Sequence, residues 1–211
     1  VSNLFYDKKT LLIFFISFLI ISLSVSNNLQ LGWDAKYFYY IKTLFFYEGL
    51  HLGEIKNFIE YKWHPHFGSY LWAFFWKIPL VDFEYFGRLF YVFLFCFSLI
   101  NIIFKSQNNF YFKIIFFLTT LILTFSYERF SGLQEILIFS LLVISSKILY
   151  NLKKNRSSDI IGLFLIGNLL IWIKSEGIFF AVVLLTILGI SKKLSHKKKL
   201  VVFFITILII F

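Results

Sequence analysis

The residues able to do acid–base chemistry are few in this chain and unevenly placed. The stretch from Gly32 to Leu80 holds four of the eleven acidic residues (Asp34, Glu48, Glu54, Glu60), three of the four histidines (His51, His64, His66) and both prolines, Pro65 and Pro79. Further along, polar residues come in small groups: Glu84 with Arg88, Tyr127-Glu128-Arg129, Glu135, then Lys174 with Glu176. Carboxylates and imidazoles take and give protons, and cations among them hold anions. At membrane depth such groups are costly and mark a functional cavity by default.

The surrounding sequence has to position them, and it is strongly apolar. The chain has 211 residues, of which 59% are hydrophobic and 23% aromatic. Apolar runs cover Leu11 to Leu23, Phe86 to Phe104, Ile114 to Phe125, Leu133 to Leu149, Ile160 to Ile173, Ile178 to Ile190 and the start of a last one, Leu200 to Phe211. The composition predicts an all-α, polytopic transmembrane bundle of about seven spans forming a single domain. A cleaved signal peptide is the alternative for the first run, with Ser22-Leu23-Ser24 as its small-residue site. The net charge of +10 is expected to reflect basic cytoplasmic loops and contact with anionic lipid, not nucleic acid. Cys96 stands alone, so there is no disulfide framework and no thiolate metal site. The absence of methionine and the apolar ending are read as signs of a fragment whose C-terminal part is missing.

Between the first two spans lies a long loop, 26–84. Ala35 to Leu50 reads as a helix lying in the interface, and Ser69 to Leu80, with Trp72 and Trp76, as a second juxtamembrane helix too short to cross. Asp34 is expected to cap the first of these, with Trp33 and Phe38 as a hydrophobic staple. Charge sets the orientation. With the N-terminus inside and Ser69 to Leu80 left in the interface, inner segments hold 13 of the 21 basic residues and only Asp7 and Asp159 among the acids. That is the asymmetry the positive-inside rule requires. The long loop, Glu84, Arg88, Glu128, Arg129, Glu135, Lys174 and Glu176 then all lie at the outer face.

Three short stretches carry a resemblance. They are Gly32-Trp33-Asp34, then His64-Pro65-His66-Phe67-Gly68-Ser69-Tyr70-Leu71, then Glu84-Tyr85-Phe86-Gly87-Arg88-Leu89. Together with the long outer loop they resemble the GT-C superfamily of polytopic membrane glycosyltransferases, which includes protein O-mannosyltransferases and aminoarabinose-transferase-like enzymes. Many members carry Asp-Glu where this chain has Asp34-Ala35. The resemblance implies an enzyme of the cell envelope, with its active site on the outer face of a bacterial inner membrane. It implies transfer of a sugar from a polyprenyl-phosphate-linked donor to an acceptor on a glycan, lipid or protein. Asp34 would be the general base, and Arg88, Arg129 and Lys174 would hold the lipid phosphate, with Glu135 and Glu176 beside the substrate. His64, His66 and Glu60 would be the ligands if a divalent metal ion takes part, although interfacial hydrogen bonding is the simpler use of the histidines. Arg88 also has a plain use as a snorkelling anchor paired with Glu84 at i,i+4. The other functional readings are a transporter or flippase for a lipid-linked or anionic substrate, built on the break at Lys174-Ser175-Glu176-Gly177, and a non-catalytic subunit of a membrane complex.

Overall fold

The computed structural model describes residues 8–58, 65–78, 82–104, 109–124, 130–152, 157–191, 194–195 and 199. All regular structure among them is helical, with no strand, in agreement with the all-α expectation. Helix α1 runs Lys8–Ser26, and a π-helical turn, Ala35–Tyr40, leads directly into α2, Ile41–Glu48. Then come α3 (Leu52–Phe58), α4 (Phe67–Lys77), α5 (Tyr85–Ile103), α6 (Phe110–Thr124), α7 (Glu135–Tyr150), α8 (Ser157–Ile173) and α9 (Gly177–Ile190).

Two helices, α1 and α5, are long and apolar enough to cross a membrane. The apolar helices α6, α8 and α9 have 15, 17 and 14 residues. At about 1.5 Å per residue these are shorter than the roughly 30 Å of a hydrocarbon core. The last expected span, Leu200 to Phe211, lies outside the described residues.

Helix α5 is central, packing against α1, α4, α6 and α7. Its partners fix the directions of the bundle. Phe93 meets Phe14 of α1 at 5.4 Å between ring centroids, and the Tyr85 hydroxyl donates to the Ser22 carbonyl near the end of α1. The two are therefore antiparallel. Phe95 lies 5.5 Å from Phe130 ahead of α7 and 5.9 Å from Phe139 within it. The Lys147 ammonium near the end of α7 donates to the Asn101 carbonyl near the end of α5, so α5 and α7 are parallel. Helices α8 and α9 fold back on each other as a hairpin, and α8 packs along α7. Lys9, Lys113 and Lys147 gather at one end, over Phe110 and on the Phe104 and Asn101 carbonyls. The acids Glu84, Glu135 and Glu176 lie at the other.

Glycine permits two close approaches at that acidic end. A β-carbon at Gly87 would lie 2.4 Å from the Trp72 carbonyl oxygen, so only glycine lets α4 and α5 meet there. Gly132 has φ +91°, and a β-carbon on it would lie 2.4 Å from the Trp72 ring. Trp72 itself has no exposed surface. Gly132→Ala is therefore strained by both conformation and space, at a cost of about 1–3 kcal/mol. The check is the melting temperature in detergent, which should fall; an unchanged value would mean the Trp72 contact is not rigid.

Candidate functional site

The long loop folds as an aromatic platform. The Tyr47 ring stacks on Trp76 at 4.2 Å, and the Tyr47 hydroxyl and Trp76 indole both donate to Asp82 Oδ1 at 3.0 Å. Tyr40 stacks on Trp76 from the π-helical turn at 6.3 Å. A π-turn widens the helix by one residue per turn and frees carbonyls from the usual ladder. Here the Tyr39 carbonyl accepts from the Ser69 hydroxyl of α4 at 3.0 Å and from Thr43 at 2.9 Å. The turn is thereby pinned to α4, with Tyr39 buried beneath it.

Asp34 stands at the head of this turn but does not cap it. Its backbone is already helical, with φ −58° and ψ −41°, and its carboxylate makes no capping bond. The helix has in effect begun a turn earlier, since the Lys36 N–H donates to the Gly32 carbonyl at 2.9 Å. Trp33 does pack edge-on against Phe38, at 5.5 Å. The expected cap is therefore replaced by an earlier helix start, and the Asp34 charge acts on other groups at this end of the molecule.

Those groups come from two later elements. Lys174, at the tip of the α8–α9 hairpin, pairs with Glu135 at the start of α7, and its ammonium lies 3.6 Å from Glu176. Burial opposes the Lys174 charge, but the hydrogen bond and field of Glu135, with the fields of Glu176 and Asp34, outweigh it and raise the lysine pKa. Burial likewise raises the Tyr39 phenol, and Glu135, Glu176 and Asp34 add to it. Tyr39 thus stays a protonated donor beside three carboxylates. Glu176 is partly desolvated, yet its backbone N–H, Lys174 and Ser175 hold its pKa down. Asp34, Glu135, Lys174 and Glu176 therefore share one neighbourhood, with Tyr39 at its floor.

Arg88 lies elsewhere. Its side chain has no exposed surface, and its terminal nitrogens donate to Glu84 at 2.8 Å, the Leu29 carbonyl at 3.2 Å and the Phe130 carbonyl at 3.4 Å. A phosphate would have to displace these partners to reach it. Glu84 is pushed up by burial against the pull of Arg88 and the Trp72 indole. Arg129, Glu60 and His64 lie outside the described residues. His66 meets the edge of Phe46 at 6.4 Å between ring centroids. It borders an almost wholly apolar pocket of about 360 Å³ with Phe46, Leu50, His51, Tyr70 and Trp172. No set of three or more His, Cys, Asp or Glu side chains among the described residues is arranged to hold a metal ion.

Sequence reasoning missed Tyr39, Lys42 and the Gln134–Tyr91 pair. Gln134 Nε2 donates to the Tyr91 hydroxyl at 3.1 Å, which donates to the Gly68 carbonyl at 3.2 Å. Single polar residues inside apolar runs were the only available signal for Gln134. Tyr39 and Lys42 looked like ordinary members of an interfacial helix. Compared with protein-family models, curated proteins and solved structures, the chain matches none.

Lys42 has no exposed surface, and burial lowers its ammonium from 10.5 to about 8. In the unfolded chain it protonates as pH falls through 10.5, whereas in the folded chain it protonates only near 8. Across that interval the unfolded state binds more protons, so stability rises with pH. Melting temperatures of wild type and Lys42→Met should therefore converge, or wild type overtake, as pH rises from 8 to 10.5. A difference independent of pH would contradict the burial of this charge.

Proposed function

We propose that the chain is a polytopic membrane glycosyltransferase of the GT-C type, moving a sugar from a polyprenyl-phosphate carrier to an acceptor hydroxyl on the outer face of the membrane. One observation carries the reading: Asp34, Glu135, Lys174 and Glu176, from three separate stretches of an otherwise apolar chain, converge at one end of the bundle. The opposite end gathers lysines, as the positive-inside rule expects of a cytoplasmic face. In this reading α1 and α5 to α9 all cross, the shorter ones where interfacial aromatics and flanking lysines absorb the mismatch.

Asp34 takes the proton of the acceptor hydroxyl as its oxygen attacks the anomeric carbon. The bond from that carbon to the phosphate oxygen breaks on the opposite face of the sugar, with inversion, and the polyprenyl phosphate leaves. Lys174, kept protonated by Glu135 and Glu176, faces the charge developing on the leaving phosphate, and Arg129 is its proposed companion. Three carboxylates beside one lysine suit hydroxyl groups better than a bare anion. The acceptor and sugar hydroxyls therefore sit by Asp34, and the phosphate approaches from the Lys174 side. Arg88 is removed from the phosphate set by its burial. A divalent metal remains a proposal that rests on His64, His66 and Glu60.

The experiment is transfer from a radiolabelled polyprenyl-phosphate sugar in proteoliposomes. Asp34→Asn should insert and fold normally while losing transfer by at least about 10²-fold, the usual worth of a general base. Full activity in that variant would remove Asp34 from the role. Substrate flux across the bilayer without covalent transfer would instead establish the transporter.

A further inference from the structure

Arg88, like Lys42, is a charged residue with no exposed surface, and its partners are unusual. Burying a guanidinium is costly unless its charge and its N–H groups are met. Glu84 meets the charge, and the Tyr85 ring lies 5.8 Å from Cζ. Nη2 and Nη1 also donate to backbone carbonyls on two distant stretches, Leu29 before the π-helical turn and Phe130 before α7, while Nε has no partner. A guanidinium reaches its acceptors from separate nitrogens in a rigid planar fork, whereas an ammonium donates from a single point at the end of a flexible stem.

The same two stretches are laced a second time. The Gly32 N–H donates to the Ser131 carbonyl at 3.1 Å. A β-carbon at Gly32 would lie 2.7 Å from Ser131 Oγ, so the strands of chain are as close as glycine allows. Asp34 follows two residues after Gly32, and Glu135 four residues after Ser131. Each tie is continued by a helix, so a shift at the tie is carried to the carboxylate beyond it.

We infer that Arg88 is a positioning residue: its fork on the Leu29 and Phe130 carbonyls fixes the segment bearing Asp34 against the segment bearing Glu135, and so sets the distance between Asp34 and the Glu135–Lys174 pair. This assignment does not depend on which reaction the site performs, and its test needs no substrate.

The test uses disulfide closure. Gly32→Cys with Ser131→Cys puts two thiols within disulfide reach. Gly32 is not in the left-handed region, so a side chain there meets no conformational strain, and native Cys96 is buried away from the pair. Phe14→Cys with Phe93→Cys, joined by a thiol-reactive spacer, reports α1–α5 packing as the control. Both pairs are followed in isolated membranes with Arg88 and with Arg88→Lys, which keeps the charge opposite Glu84 and removes only the fork. The expected result is closure of the 32–131 pair slowed at least about tenfold, with the control rate unchanged. Closure at the wild-type rate overturns the inference. Equal slowing of both pairs, or a variant that fails to insert, also overturns it, because the residue would then serve the bundle as a whole.

Discussion

A guanidinium with no exposed surface sits where the segments leaving α1, entering α5 and entering α7 come together. Its demands organise that end of the molecule. The charge requires Glu84, one turn earlier on the same helix, and the carboxylate in turn lies against Trp72 of α4. Beyond Glu84, the terminal nitrogens of Arg88 reach the Leu29 and Phe130 carbonyls outside the helical ladders. The connections on either side are therefore drawn over α5, and Gly32, Gly87 and Gly132 give the space for that approach. What looks in the sequence like an isolated charge is a point at which the segments before the π-helical turn and before α7 are tied to α5.

The polar cluster depends on that shape. Asp34 gains its position from a helix that starts before it and from a π-turn anchored through the Tyr39 carbonyl to α4. Glu135 gains its position from the turn that Gly132 makes against Trp72. Lys174 comes from the tip of a hairpin whose two helices would be weak elements alone and are held by packing on α7. Glu176 is partly desolvated, but its own backbone N–H, Lys174 and Ser175 hold its pKa down. Tyr39 differs, because its ring is covered while three acids act on its phenol. The result is one group of hydrogen-bond donors and carboxylates brought together from separate elements.

Much of this was legible from composition, and the rest failed for identifiable reasons. Helix positions followed the apolar runs: α5 was expected from Phe86 and begins at Tyr85, and the break at Lys174 to Gly177 is the hairpin tip. The grouping of Glu135, Lys174 and Glu176 followed from charge alone, because polar residues in apolar runs have few places to go. Asp34 as a cap was a local expectation, undone by one earlier hydrogen bond to the Gly32 carbonyl. Arg88 looked available for phosphate because its carbonyl partners lie far away in sequence, where no pattern of spacing reveals them. Tyr39 and Lys42 escaped notice because aromatic and lysine residues are expected at an interface, and it is the packing of the π-helical turn and α2 on α4 that covers them. Of the expected spans, α1 and α5 have the length of a crossing among the described residues, because short apolar helices satisfy a hydropathy pattern without having that length.

The central claim is that the Asp34, Glu135, Lys174 and Glu176 cluster lies on the outer face of a membrane, with the lysine-rich end inside. Single cysteines at positions 34, 176, 9 and 150, tested in intact cells with a membrane-impermeant maleimide, address it directly. The account predicts that Asp34→Cys and Glu176→Cys react from outside, and that Lys9→Cys and Tyr150→Cys react only after the membrane is permeabilised. Labelling of 34 and 176 from opposite sides, or of both only after permeabilisation, would contradict it.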